Sequence, residues 1–221
     1  MVQTHIVTRF DKELSEIEAL LVQMSDKVIV QMRESARALK HGDAELAEKV
    51  ANADTVINNL EKTIDEKAIR LIALRQPMAE DLRSAVSTLK ISQNLERMGD
   101  YAKTLSYRVR AVNDFSAMKP VLKRIAKMSN QVADMLDMVM VAYVNQDLEK
   151  AEEARLADED INERTDAMFR ELLTYMMENP RNIEPCTHLL FIAKNLERSG
   201  DQVKNIAEQV HYLVTGETFE N

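Results

Sequence analysis

The heptapeptide NLERMGD at residues 94–100 returns as NLERSGD at 195–201. Six of its seven letters agree, and they include a glycine inside what otherwise reads as helix. The echo extends well beyond the heptapeptide. Shifted by 104 positions, MSDKV at 24–28 falls on MSNQV, DAELAE at 43–48 on DLEKAE, and ADTVIN at 53–58 on ADEDIN. Residues 24–58 align without a gap at 12 identities in 35. Beyond them the offset shrinks to 103 at Pro77 and Pro180, and to 101 at the heptapeptides, so the length change lies in a connection where loops absorb it. A period near one hundred is too long for a solenoid unit. The chain is a small domain written twice, and any fold for it must use one topology in both halves.

Each half reads as three helices. Leu14, Ile17, Leu20, Leu21, Met24 and Val28 recur at intervals of three and four, the spacing of one helical face. The pattern breaks at His41-Gly42, with Asp43 placed to cap the second helix. Val50, Ala53, Ile57, Leu60, Ile64 and Leu71 continue the rhythm to Gln76-Pro77, where proline suits the first turn of a new helix. A third stripe through Ile91, Leu95, Met98, Ala102, Leu105 and Val109 ends at Asn113-Asp114. The second half is expected to form helices over 117–145, 147–178 and 181–214, broken at Asn145-Gln146 and Asn179-Pro180 and stopped by Gly216. The expected fold is all-α: two pseudo-symmetric antiparallel three-helix bundles, over residues 1–113 and 117–221, joined near 113–118. One continuous six-helix bundle is the alternative.

Composition agrees. The 221 residues include only 4 Gly and 4 Pro, too few for the reversals of a sheet protein, and 13 Met, which fill irregular gaps between helices. Net charge is −8, the wrong sign for displacing phosphate counterions, so no nucleic-acid partner is expected. No apolar run is long enough to span a bilayer, and the N-terminus lacks the apolar block of a signal peptide, so a soluble intracellular protein without membrane insertion is expected. The single cysteine, Cys186, excludes an internal disulfide.

Chemistry concentrates where the repeats agree. Asp54 and Asn58 lie four apart on the second helix, Glu96 and Asp100 four apart on the third, so each pair shares a helical face. Asn58 stands 18 residues before Gln76 and Glu96 stands 19 after Pro77, which places the pairs level across the hairpin. Asp158, Asn162, Glu197 and Asp201 repeat the arrangement. Leu82, Leu89 and Glu96 are seven apart, so Glu96 continues an apolar row; Ile183, Leu190 and Glu197 do the same. Carboxylates losing water in such a row need compensation, and a divalent cation held by oxygen ligands would supply it. Gly99 and Gly200, costly inside a helix, would let a backbone or a metal shell approach closely. A solvated acidic groove is the other reading, with Arg97–Asp100 and Arg198–Asp201 as surface ion pairs.

LIALRQPMAEDLR at 71–83, NLERMGD at 94–100, TYMMENPRNI at 174–183 and NLERSGDQVKNIAE at 195–208 together resemble the PhoU family of bacterial phosphate-signalling regulators. The resemblance covers nearly the whole chain. It implies a non-enzymatic regulator that couples the high-affinity phosphate transporter to a sensor histidine kinase and holds starvation genes off when phosphate is plentiful. The implied partners are the transporter's ATPase subunit and the kinase, at the cytoplasmic side of the inner membrane, and a homodimer is implied. Metal binding through E/D-x-x-x-D motifs is implied too, at Asp54, Glu96, Asp100, Asp158, Glu197 and Asp201. Asn58 and Asn162 stand where a further Asp would add charge. One or two weakly held ions, magnesium or manganese before iron or zinc, are therefore expected rather than a cluster.

Two other readings arise from the residues. A metal-independent scaffold would use its acidic grooves to bind basic partner surfaces. A ferritin-like metal oxidase would need two Glu-x-x-His pairs. Only Glu208-x-x-His211 has that spacing, and its counterpart is Tyr107-x-x-Arg110. No P-loop, dinucleotide or nucleophile-elbow motif occurs.

Overall fold

The computed structural model of the chain describes residues 2–111 and 118–219, with side chains from Arg9 onward. The expected joint near 113–118 lies almost wholly outside the described residues. Among these, every regular element is helical: α1 (Val2–His41), α2 (Ala44–Arg75), α3 (Glu80–Ala111), α4 (Lys119–Asn145), α5 (Leu148–Leu156), α6 (Asp158–Glu178) and α7 (Ile183–Thr215), with a 3-10 turn over Pro180–Asn182 before the last.

The first connection is built identically in both halves. At the end of α1 the Asp43 amide donates to Ala38 O (2.9 Å) and the Gly42 amide to Leu39 O (3.4 Å). At the end of α4, Asp147 donates to Ala142 O (3.0 Å) and Gln146 to Tyr143 O (3.3 Å). Both are Schellman closures, which require a left-handed residue. Gly42 supplies φ +65° and Gln146 is held at +53°. Asp43 and Asp147 then accept the Leu46 and Lys150 amides and cap the next helices.

Two boundaries differ from the sequence reading. Pro77 does not open α3; residues 76–79 form a longer turn with Gln76 and Ala79 left-handed, and the helix starts at Glu80. Pro180 does begin a helical segment, but as the 3-10 turn, with the Asn179 side chain accepting from the Arg181 amide. The expected helix 147–178 is interrupted for one residue at Ala157, whose ψ of −16° tightens the turn immediately before Asp158. The Ala157 amide still donates to Glu153 O (3.1 Å), so the axis is tightened, not severed.

The two bundles share one core. α1 packs on α4 and α3 on α7 as well as on helices of their own units. A single buried cluster runs from Leu21, Met24 and Val28 through Leu95 and Met98 to Val132, Ile192 and Ile206. Small residues let the seam close: Ser35, Ser129 and Ser199 are fully buried, and Ser129 Oγ donates across it to Met32 O (3.0 Å). Down α3, Arg83, Lys90, Asn94 and Arg108 meet Gly216, Tyr212, Asn205 and Phe191 in reverse order on α7. These helices therefore cross antiparallel, and the two heptapeptides lie at the centre of the crossing. The repeat unit is real, but its hydrophobic face is completed by its own duplicate.

Candidate functional site

The hairpin register sets which acids meet. Lys103 Nζ lies 2.8 Å from Asp54 Oδ2, and Ser92 Oγ lies 3.5 Å from Asp65 Oδ1. With α2 and α3 antiparallel, that brings Glu61 opposite Glu96. The sequence reading placed Asn58 there; the four-residue turn at 76–79 displaces the register by about one helical turn. Glu61 comes seven residues after Asp54 and Lys103 seven after Glu96, so both lie on the faces already singled out. That spacing was the available signal for two participants outside the paired motifs.

In the first unit Asp54 is buried and fully engaged. Beyond Lys103, its carboxylate accepts from Asn58 Nδ2 (3.3 Å) and Gln31 Nε2 (3.5 Å). Lys103 also lies 3.7 Å from Asp100. Glu96 is half-buried. Burial first, then the charges of Asp100 and Glu61, a hydrogen bond with Asp100 and the charge of Asp54, push its carboxyl up to about 7. Glu61 and Asp65 are raised as well, each chiefly by burial. Lys103 thus bridges Asp54 and Asp100, while Glu96, Glu61 and Asp65 lie close by without an ion-pair cation of their own among the described residues.

The second unit repeats the helix pair, with an interruption at Ala157, and gives its acids different partners. Asp158 is buried and receives only the Asn162 amide, at 3.1 Å on Oδ2. Its Oδ1 is buried without a hydrogen-bond partner and is turned onto Gly200, where a β-carbon would collide with it. Burial raises its pKa, the charge of Asp201 adds to this, and Lys204 opposes it only in part. Asp201 is raised by burial and by Glu197, while Lys194 pairs with Glu197. At the position matching Gln31 the second unit has Met135, and at that matching Glu61 it has Thr165.

The structure thus brings together Asp54, Asn58, Glu96 and Asp100 in one unit and Asp158, Asn162, Glu197 and Asp201 in the other. Among the described residues, no three His, Cys, Asp or Glu side chains converge on a common metal-ligating point. The donor set nevertheless fits a hard cation. Every donor is oxygen, and Asn58 Oδ1, Asn162 Oδ1 and Asp158 Oδ1 are buried without a hydrogen-bond partner. A lysine lies on one donor in each unit, Lys103 on Asp54 in the first and Lys194 on Glu197 in the second, but only the second leaves its buried aspartate, Asp158, without one. The glycines accommodate side chains and not another backbone: Gly99 makes room for Ile57 and Gln31, and Gly200 for Asp158, itself one of the candidate ligands. The surface pairs Arg97–Asp100 and Arg198–Asp201 are replaced by Lys103–Asp100 and Lys194–Glu197. His211, the one candidate histidine of the oxidase reading, packs edge-on against Phe219 and hydrogen-bonds near the chain's end.

A family model described as the PhoU domain matches twice, over residues 21–109 and 125–210. A "phosphate-specific transport system accessory protein PhoU homolog" of Rhizobium meliloti is 42% identical over 216 residues, covering 98% of this chain and 91% of that protein. One of the same description from Caulobacter vibrioides is 44% identical, covering 96% and 93%. The crystal structure of PhoU from Pseudomonas aeruginosa superposes with a TM-score of 0.88 at 34% identity, covering 94% of this chain and all of that one. That of the phosphate transport system regulatory protein PhoU from Streptococcus pneumoniae also gives 0.88, at 30% identity, covering 96% and 100%. No helix among the described residues is long and apolar enough to cross a membrane.

Proposed function

Because the chain belongs to the PhoU domain family, we propose that it is an accessory regulator of a phosphate-specific transport system. It acts without turnover in the cytoplasm, contacting the transporter's ATPase subunit and the sensor histidine kinase and holding the starvation response off while phosphate is plentiful. The observation that carries this reading is the double family match together with relatives so described along nearly the entire chain. Long helices locked through a shared core give a stiff body suited to presenting surfaces at fixed separation.

The duplicated acids are the regulator's cation sites in this proposal. Asp158, Glu197, Asp201 and the Asn162 amide oxygen would hold a magnesium or manganese ion in the second unit. Asp54, Glu96, Asp100 and Asn58 would do so in the first once Lys103 swings aside. A bound divalent ion supplies the positive charge that these buried carboxylates otherwise lack. In its absence Lys103 fills that role for Asp54, and protonation fills it for Glu96. The scaffold reading is favoured in the first unit alone, where the ammonium already satisfies the buried acid.

Tagged chain recovered from cells at high and at low phosphate should retain the transporter ATPase and the kinase. Recovery of neither in both conditions overturns the adaptor role. Metal content of protein purified without chelator tests the sites separately. Glu96→Ala/Glu197→Ala should lose divalent ion relative to wild type, and equal content in the two removes the cation from the mechanism.

A further inference from the structure

Between α1 and α2 the first unit carries a groove of about 360 Å³. Buried Val50 and Ile57 form its floor, and the small side chain of Ala53 leaves it open. Val30 and Val56, one on each wall, are 58% and 48% exposed. Lys27 and Lys49 stand at its two rims; Glu34 also lines it and pairs with Arg37, while the neighbouring Glu48 pairs with Arg110.

The second unit is closed at the matching place. Gln131, Asp134 and Asp160 occupy the positions of Lys27, Val30 and Val56. Asp160 bonds to Gln131 across the gap between α4 and α6 and pairs with Arg164, and Asp134 pairs with Arg33. Equivalent helix pairs thus carry a polar strap in one copy and an uncovered apolar trough in the other.

We propose that this trough docks an amphipathic helix of a protein partner, about three turns long, whose apolar stripe is flanked by acidic residues. Two antiparallel helices leave a furrow complementary to the ridge of a third. From Leu46 to Ile57 the furrow runs roughly 16 Å at helical rise, enough for three turns of guest. Charge selects the guest. On a chain of net charge −8, two lysines against one glutamate give this lining a local positive excess, which favours an acidic guest over a basic one. The proposal does not rest on the cation sites.

Fluorescence anisotropy on the full chain tests it, with two labelled synthetic helices of about four turns. Both carry leucines at i, i+3, i+4 and i+7; one is flanked by glutamates, the other by lysines. The acidic helix is expected to bind at least about tenfold more tightly than the basic one. Val56→Asp and Val30→Asp, at exposed positions that leave the melting curve unchanged, should each weaken it by about tenfold. Lys27→Glu/Lys49→Glu should reverse the order of the two peptides. Equal binding of the peptides, or wild-type binding by the folded Val56→Asp chain, overturns the proposal. So does a wild-type dimer in sedimentation that Val56→Asp disperses, since that assigns the face to a second copy.

Discussion

Asp54 and Asp158 occupy equivalent places in two copies of one hairpin and live in different electrostatic worlds. Asp54 is clasped by Lys103 at 2.8 Å and reached by Gln31 and Asn58. Asp158 turns toward Gly200 with one oxygen unpartnered, in a unit where methionine replaces the glutamine. The first helix connection with its aspartate cap and the core faces are held in common, because packing constrains them in both copies. The partners of the buried aspartates have diverged, so Asp54 holds a lysine directly and Asp158 does not. Duplication kept the scaffold and split the chemistry.

That contrast breaks most visibly at the lysines. Lys103→Met leaves a buried carboxylate without its cation and should cost about 3 kcal/mol, whereas Lys204→Met should cost well under about 1 kcal/mol. Chemical denaturation of both variants decides it, and equal losses would erase the asymmetry. The glycines come next. Gly200→Ala must expel the Asp158 carboxyl and should destabilise by about 2 kcal/mol despite the gain in helix propensity, while Gly99→Ala, facing the yielding side chains of Ile57 and Gln31, should stay within about 1 kcal/mol of wild type.

Protonation sharpens the comparison further. A carboxyl whose folded pKa is raised binds more protons folded than unfolded, so its contribution is present below the unfolded value of 4.5 and lost as pH rises through about 7. Glu96→Gln should therefore match wild type near pH 4 and exceed it at pH 8, by on the order of 1 kcal/mol in melts across that range. Asp158→Asn should shift stability in the same sense, because burial raises that acid too; Asp54→Asn should destabilise by severing the lysine pair. The smallest effect is at the Schellman closures. Gln146→Gly relieves a left-handed side-chain residue and should add roughly 1 kcal/mol, and Gly42→Ala should subtract a similar amount.

The repeat, the helical faces and the caps were legible in the sequence because they depend on local rules: spacing of apolar residues, an aspartate before a helix, a glycine after one. The motif acids were legible because two copies marked the same positions. Lys103, Gln31 and Glu61 were not singled out, since their roles depend on the register across a turn whose length Pro77 disguises. The shared core escaped the two-bundle expectation for a related reason. An apolar face on α1 or α3 reads the same whether its neighbour lies in its own unit or in the other.

The seam between α1 and α4 and the crossing of α3 with α7 bind the halves into a single folding unit. Cut between α3 and α4, neither fragment has a way to cover the flank it used to press against its twin. Each should be sticky and half-formed alone and recover order when mixed with the other. An ancestral single repeat, by the same logic, must have existed in pairs.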